Sequence, residues 1–140
     1  MSANLEFIAS YNNFILSTML DEEAFLAGLD QYVHEDAVLD EPASIPGLGR
    51  LVGHAGWNQW RVTAARWATE SGAQYTFGAS EDYEKGDVVL HWYELTLSPN
   101  AVFPEGFATS IIERYEFAEG KIARLAEYYA DTTAFAQYFA

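Results

Sequence analysis

"FATSIIERYEFAEGKIARLAEYYAD", Phe107 to Asp131, reads as two strands of alternating side chains joined by a tight turn at Glu119-Gly120. In the first strand a period of two puts Ile111, Glu113, Tyr115 and Phe117 on one face and Ile112, Arg114, Glu116 and Ala118 on the other. The first face is the more aromatic, and Glu113 lies in it. If that face turns inward, the Glu113 carboxylate loses hydration among rings, its pKa rises, and it becomes a neutral acid able to donate a proton. The opposite parity leaves Glu113 solvated and sends Arg114 and Glu116 the other way; the pattern alone leaves both open.

Upstream, "QYTFGASEDYE", a turn at Lys85-Gly86 and "DVVLHWYELTLS" supply two more strands, followed by a loop holding Pro99 and Pro104. Four consecutive strands with hairpin-length turns imply a largely antiparallel sheet. His91 shares a face with Tyr93 and Leu95, where a neutral imidazole can exchange protons near neutral pH. A hydrogen-bonded core histidine is the plainer account of the same position.

The first half of the chain is helical by its spacing. Leu5, Ile8, Tyr11, Ile15 and Met19 form one apolar stripe, with Tyr11 on its inner face. Asp21 is placed to cap a second helix over "EEAFLAGLDQYV". A third, "WNQWRVTAARWATESG", carries Trp57, Trp60 and Trp67 on a stripe and meets a stop at Gly72. Such a stripe is core or interface before it is a ligand box, but it makes any neighbouring cavity apolar. Asp131 is placed to cap a short last helix, "TTAFAQYF". Helices first and a meander of strands after them predict an α+β domain in which a curved sheet wraps the helices, with residues 1–140 forming one domain.

Between the second and third helices stands "VLDEPASIPGLGRLVG", Val38 to Gly53. Pro42 holds Glu41 extended and ends regular strand pairing. Asp40 and Glu41 point oppositely, so one of them shares the inward face, beside a loose segment that reads as a lip or lid. A solvated strand end before a Pro/Gly loop explains the same letters.

Composition narrows the function classes. Seven Lys plus Arg against 21 Asp plus Glu give a formal charge of −14, which repels phosphate backbones and anionic bilayers. Nucleic acid and membrane partners are not expected, and the expected setting is a soluble, cytoplasmic protein. There is no cysteine, hence no disulfide, thiolate nucleophile or Cys-ligated metal. His34, His54 and His91 show no metal-ligand spacing, and "PGLGRLVG" matches neither a phosphate loop nor a dinucleotide fingerprint. Neither a metal nor another cofactor is expected. Apolar residues on the second sheet face, Leu90, Trp92 and Ile112, need cover and point to a homodimer.

The order of these elements, the turn from helix to strand in "YVHEDAVLDEP", the "GHAGW" that leads into helix three and the closing "ERYEFAEGKIARLAEYYAD" resemble the SnoaL-like branch of the NTF2-like superfamily along essentially the whole chain. The resemblance implies a cone of helix and strongly curved sheet around an apolar pocket. Ketosteroid isomerase, of the same superfamily, pairs a carboxylate base with a Tyr and a protonated Asp. Matched position by position, the base falls on Glu41, the protonated donor on Glu113 and the tyrosine on Tyr11, with Glu standing twice where that family has Asp. The resemblance thus implies a cofactor-independent isomerase or cyclase acting on a small, apolar, carbonyl-bearing molecule. Glu41, Glu113, Tyr11 and His91 are its candidate catalytic residues, and Trp60, Tyr93, Tyr115, Phe117 and Glu127 line its pocket. Two alternatives stand beside it. One is a limonene-type epoxide hydrolase in which Arg114 and a carboxylate activate water, and the other is a non-catalytic small-molecule-binding or dimerisation module.

Overall fold

A computed structural model describes residues 1–140. Helix α1 (Ala3–Thr18) starts where Ser2 Oγ accepts from the Leu5 N–H at 3.1 Å and buries Ile8, Tyr11 and Ile15. Asp21 caps α2 (Glu22–Leu29) by accepting from the Ala24 N–H. That helix stops earlier than its spacing suggests: Tyr32 and Val33 belong to a turn and to the first strand, where Val33 pairs with Ile122. Sheet pairing buries Val33 completely, a stronger pull than one further helical turn.

Strand β1 (Val33–Asp40) is followed by β2 (Arg50–Val52), a short strand inside the stretch that reads as loose. The segment between them is a closed loop anchored in the core. Its ends meet where the Glu41 N–H donates to Gly49 O at 3.0 Å, and Ile45 is only 1% exposed. Gln59 also donates to Gly47 O. The next helix, α3 (Gly53–Ser71), begins four residues before Trp57 and ends at Gly72 in the left-handed conformation. Gly53 itself has φ +70°, and a Cβ there would stand 2.7 Å from Glu35 O. Four long strands follow, β3 (Tyr75–Lys85), β4 (Val88–Leu97), β5 (Phe107–Ala118) and β6 (Lys121–Tyr129), before α4 (Thr132–Tyr138), whose cap is Asp131.

The strands form one curved, unclosed sheet in the order β2-β1-β6-β5-β4-β3, antiparallel except for β1 with β6. The helices fill its concave side, giving an α+β cone. Two apolar clusters lie in it. One gathers Tyr11, Phe25, Leu29, Leu39, Trp57, Val89, Tyr115 and Leu125 between α1, α2, α3 and the sheet. The other gathers Ile45, Leu95, Leu97, Ile111, Phe135 and Tyr138 under α4. Phe135 sets its ring edge to face against Trp67 and Tyr129, and Tyr138 donates to Ser98 O, so α4 closes that end.

The convex face alternates with the core face. It carries Asp40, which pairs with Arg124 at 2.7 Å and with Arg50 at 3.9 Å, and Arg114, which pairs with Glu116. A groove of about 400 Å³ on that face is lined by Glu81, Tyr83, Leu90, Trp92 and Ile112. No helix is long and apolar enough to cross a membrane.

Candidate functional site: a polar seam between two cores

Each inner strand crosses from one apolar cluster to the other, and each puts a titratable side chain at the crossing. On β5 the inward order is Ile111, Glu113, Tyr115; on β6 it is Tyr129, Glu127, Leu125; on β4 it is Tyr93, His91, Val89. Leu39 on β1 belongs to the first cluster and Ile45, in the loop after β1, to the second, with Glu41 between them. Period-two alternation therefore stacks carboxyls in a seam where neither cluster supplies a cation.

Glu41 follows the last paired residue of β1 and is 6% exposed. It is buried rather than solvated as a strand-end reading suggests. Its Oε2 accepts from Tyr129 Oη at 3.1 Å, while its Oε1 is buried with no partner. Tyr129 Oη stands equally 3.1 Å from Glu127 Oε2. A phenol has one proton to give, so both contacts are hydrogen bonds only when one of the two carboxyls is itself protonated. Glu41 and Glu127 are thus joined through the one Tyr129 hydroxyl.

Electrostatics agree with that count. Burial, then the charge of Glu127 and a hydrogen bond with it, push the Glu41 carboxyl well above the usual range, and only the Tyr129 hydroxyl opposes them. Glu113 is pushed up in the same way, by burial first and then by Glu127, against the Tyr115 hydroxyl that donates to its Oε1 at 3.1 Å. Glu127 therefore acts on both. Glu41 and Glu113, with no cation beside them, are thereby both pushed toward the neutral form.

Four tyrosines enclose the group. Tyr11 accepts from Trp57 Nε1 at 3.0 Å in the core, and burial followed by the charges of Glu113, Glu127 and Glu41 keeps its hydroxyl protonated and a donor. Burial and the same three charges raise Tyr93. Tyr115 and Tyr129 are raised by burial first, then by Glu113 and Glu127 respectively. Glu113, Glu127, Tyr93 and Tyr129 keep some accessible surface although both clusters pack around them, as residues lining a recess do. A cleft of about 300 Å³ reaches Glu41 and Glu127 from outside, bounded by Pro42, Tyr129 and Thr132. It exists because Pro42 ends the β1–β6 ladder at Asp40 and Ala126 while β6 runs on to Tyr129.

Of the remaining candidates, His91 stands abreast of Glu113 and the others are dispersed. His91 Nδ1 is 2.6 Å from Asp82 Oδ1, with its ring 5.3 Å from that of Tyr93. Trp60 is half-buried against the first cluster. Phe117 packs edge to face with Phe7 after a bulge at Glu116, away from the carboxyls. Arg114 lies on the opposite face of the sheet from the seam and cannot join a water-activating set there. No three His, Asp or Glu side chains meet in metal-ligating geometry.

Sequence reasoning missed Tyr129, Trp57 as the partner of Tyr11, and Asp82. Tyr129 had a signal, standing two residues from Glu127 on the same face. The other two meet their partners only through tertiary packing and strand register.

No protein-family model and no curated protein matches the sequence. Solved structures do. TerC co-crystallized with polyporic acid is 24% identical, with a TM-score of 0.68 over 99% of this chain and 98% of the other. An NTF2-like protein from Burkholderia xenovorans is 18% identical, with a TM-score of 0.65 over 96% and 97%. A protein from Mesorhizobium loti, described provisionally as a SnoaL-like polyketide cyclase, is 18% identical, with a TM-score of 0.54 over 91% and 100%. At these identities the likeness establishes the architecture: the chain has the NTF2-like fold.

Proposed function

We propose that this chain is a cofactor-independent acid–base enzyme of the SnoaL-like type, an isomerase or cyclase acting on a small, largely apolar, carbonyl-bearing molecule. The observation that carries the reading is the Glu41–Tyr129–Glu127 arrangement, two carboxyls on one phenol hydroxyl with Glu41 Oε1 unsatisfied. The pair removes a proton from carbon next to the substrate carbonyl: the C–H bond breaks, an O–H bond forms on the pair, and the electron pair moves to the carbonyl oxygen. Tyr11 and neutral Glu113 donate to that oxygen, and their burial makes the donation strong. Returning the proton to a different carbon isomerises the substrate, and attack of the enolate carbon on a second carbonyl closes a ring. The apolar clusters on either side suit a flat organic body, and the SnoaL-like polyketide cyclase and the polyporic acid complex among structurally similar proteins support that ligand class. The Arg114 position removes the support for the epoxide hydrolase alternative.

The test is deuterium exchange at carbon next to the carbonyl across a panel of aryl ketones, followed by proton NMR in heavy water. Wild-type protein accelerates exchange of at least one ketone, and Glu41→Gln and Glu113→Gln lose roughly 10²- to 10⁴-fold of that acceleration. Ketones that bind without exchanging faster than in buffer would favour the non-catalytic binding module. We also propose that two copies pair through the convex face, where Leu90 and Ile112 are 36% and 38% exposed between Glu81 and Arg114.

A further inference from the structure

Strand register aligns more than the three glutamates. On the concave face Asp82 of β3 is the direct cross-strand partner of His91 on β4, His91 of Glu113 on β5, and Glu113 of Glu127 on β6. Glu41, just past β1, adjoins Glu127 through the Tyr129 hydroxyl. One row thus crosses four strands, ends just past β1 at Glu41, and consists wholly of titratable side chains, whereas the rows beside it on β4, β5 and β6 are Tyr93, Ile111, Tyr129 and Val89, Tyr115, Leu125. We propose that the row Asp82–His91–Glu113–Glu127–Glu41 is a proton relay that connects the buried carboxyls to solvent at the β3 edge, with His91 as the residue that exchanges with water.

Directly opposed cross-strand side chains have Cβ atoms about 5 Å apart, close enough for a hydrogen bond or one bridging water at each step. The outer end is the more exposed, and the Glu41 end is enclosed except for the cleft beside Pro42. Asp82 and His91 side chains are 37% and 19% exposed, while Glu41 is 6% exposed with one oxygen unpaired. Asp82 fixes the imidazole by holding Nδ1 at 2.6 Å, which leaves Nε2 to take up and release protons. The groups facing the row are Tyr11 from α1, Tyr93 from β4, Tyr115 from β5 and Tyr129 from β6, none of them cationic, so His91 is the single group in the row that can carry positive charge. Each hop breaks one O–H or N–H bond and makes another on the neighbour. A proton taken by the Glu41–Glu127 pair moves on to Glu113 as Glu113's own proton moves to His91, and His91 releases one to water. The relay resets the base after each turnover and mixes substrate-derived protons with solvent. It rests on the proposed role of Glu41 and is tested without substrate.

Free protein is mixed rapidly into heavy water, and the carbonyl stretch of the protonated carboxyls, assigned by its loss in Glu113→Gln, is followed by infrared spectroscopy. His91→Ala should slow the exchange of this band by roughly a hundredfold, and added imidazole should restore it. Asp82→Asn, an exposed-edge change that leaves the core untouched, should slow it less. Wild-type exchange in His91→Ala, or slowing that imidazole does not relieve, would overturn the relay and leave the proposed function standing. Slowing by Thr132→Phe instead would make the cleft beside Pro42 the proton route and overturn it too. A wild-type protein with no protonated-carboxyl band at neutral pH would overturn both readings.

Discussion

Replacing Glu113 by Gln tests the cost of its burial in this acidic chain. Burial and the Glu127 charge raise the folded carboxyl well above 4.5, the value of an unhindered glutamate. Between those two pH values the folded state holds a proton that the unfolded chain has lost. Stability is therefore fully present below about 4.5 and falls as pH rises toward the folded pKa, by about 1.4 kcal/mol per pH unit for one such group. For a domain of this size that is roughly 5 °C of Tm per pH unit. Gln is shaped like the neutral acid, can still accept from the Tyr115 hydroxyl and carries no such linkage. Calorimetric melts at constant ionic strength should show wild type and Glu113→Gln close together near about pH 4 and diverging upward, with the variant the more stable. Self-repulsion from a charge of −14 tilts both curves alike, so the difference reports Glu113 together with its coupling to Glu41. Parallel curves would mean that Glu113 is ionised in the folded protein, and the donor role assigned to it would fall.

Three further outcomes are expected. Tyr129→Phe removes the hydroxyl between Glu41 and Glu127, costing about 1–3 kcal/mol and pushing the Glu41 carboxyl still higher; a carbon-13 carboxyl titration in which it moved down would contradict the assignment. Gly53→Ala forces a Cβ to 2.7 Å from Glu35 O at φ +70° and should cost more than about 1 kcal/mol, a conclusion that unchanged denaturant unfolding would refute. Ile112→Glu on the convex face should turn a dimer into a monomer by light scattering, and a wild type that is already monomeric would sink the pairing proposal.

How far the letters reach differs by element. The capping aspartates Asp21 and Asp131 and the helix stop at Gly72 work where local chemistry puts them, because a cap needs only its own next turn. The end of α2 and the existence of β2 were not legible. Val33 leaves the helix to pair with Ile122, and Arg50–Val52 becomes a strand only because Val38–Asp40 lies beside it. The inward parity of Glu113 was open in the alternating pattern, and packing closes it by burying Ile111 and Tyr115 at 4% and 0% exposure.

By itself the sequence determined the helix-then-meander order, the alternation that sends Asp40 and Glu41 to opposite faces, and a composition with more acids than cations to neutralise them. Only the tertiary structure decided that Glu41, Glu113 and Glu127 meet, that Tyr129 bridges two of them, and that Asp82 and His91 continue their row to the sheet edge. The physical reason is register. Alternation is a property of one strand, but which side chains stand abreast depends on how neighbouring strands slide into place, and a slip of one residue would turn every carboxyl in the seam out to water.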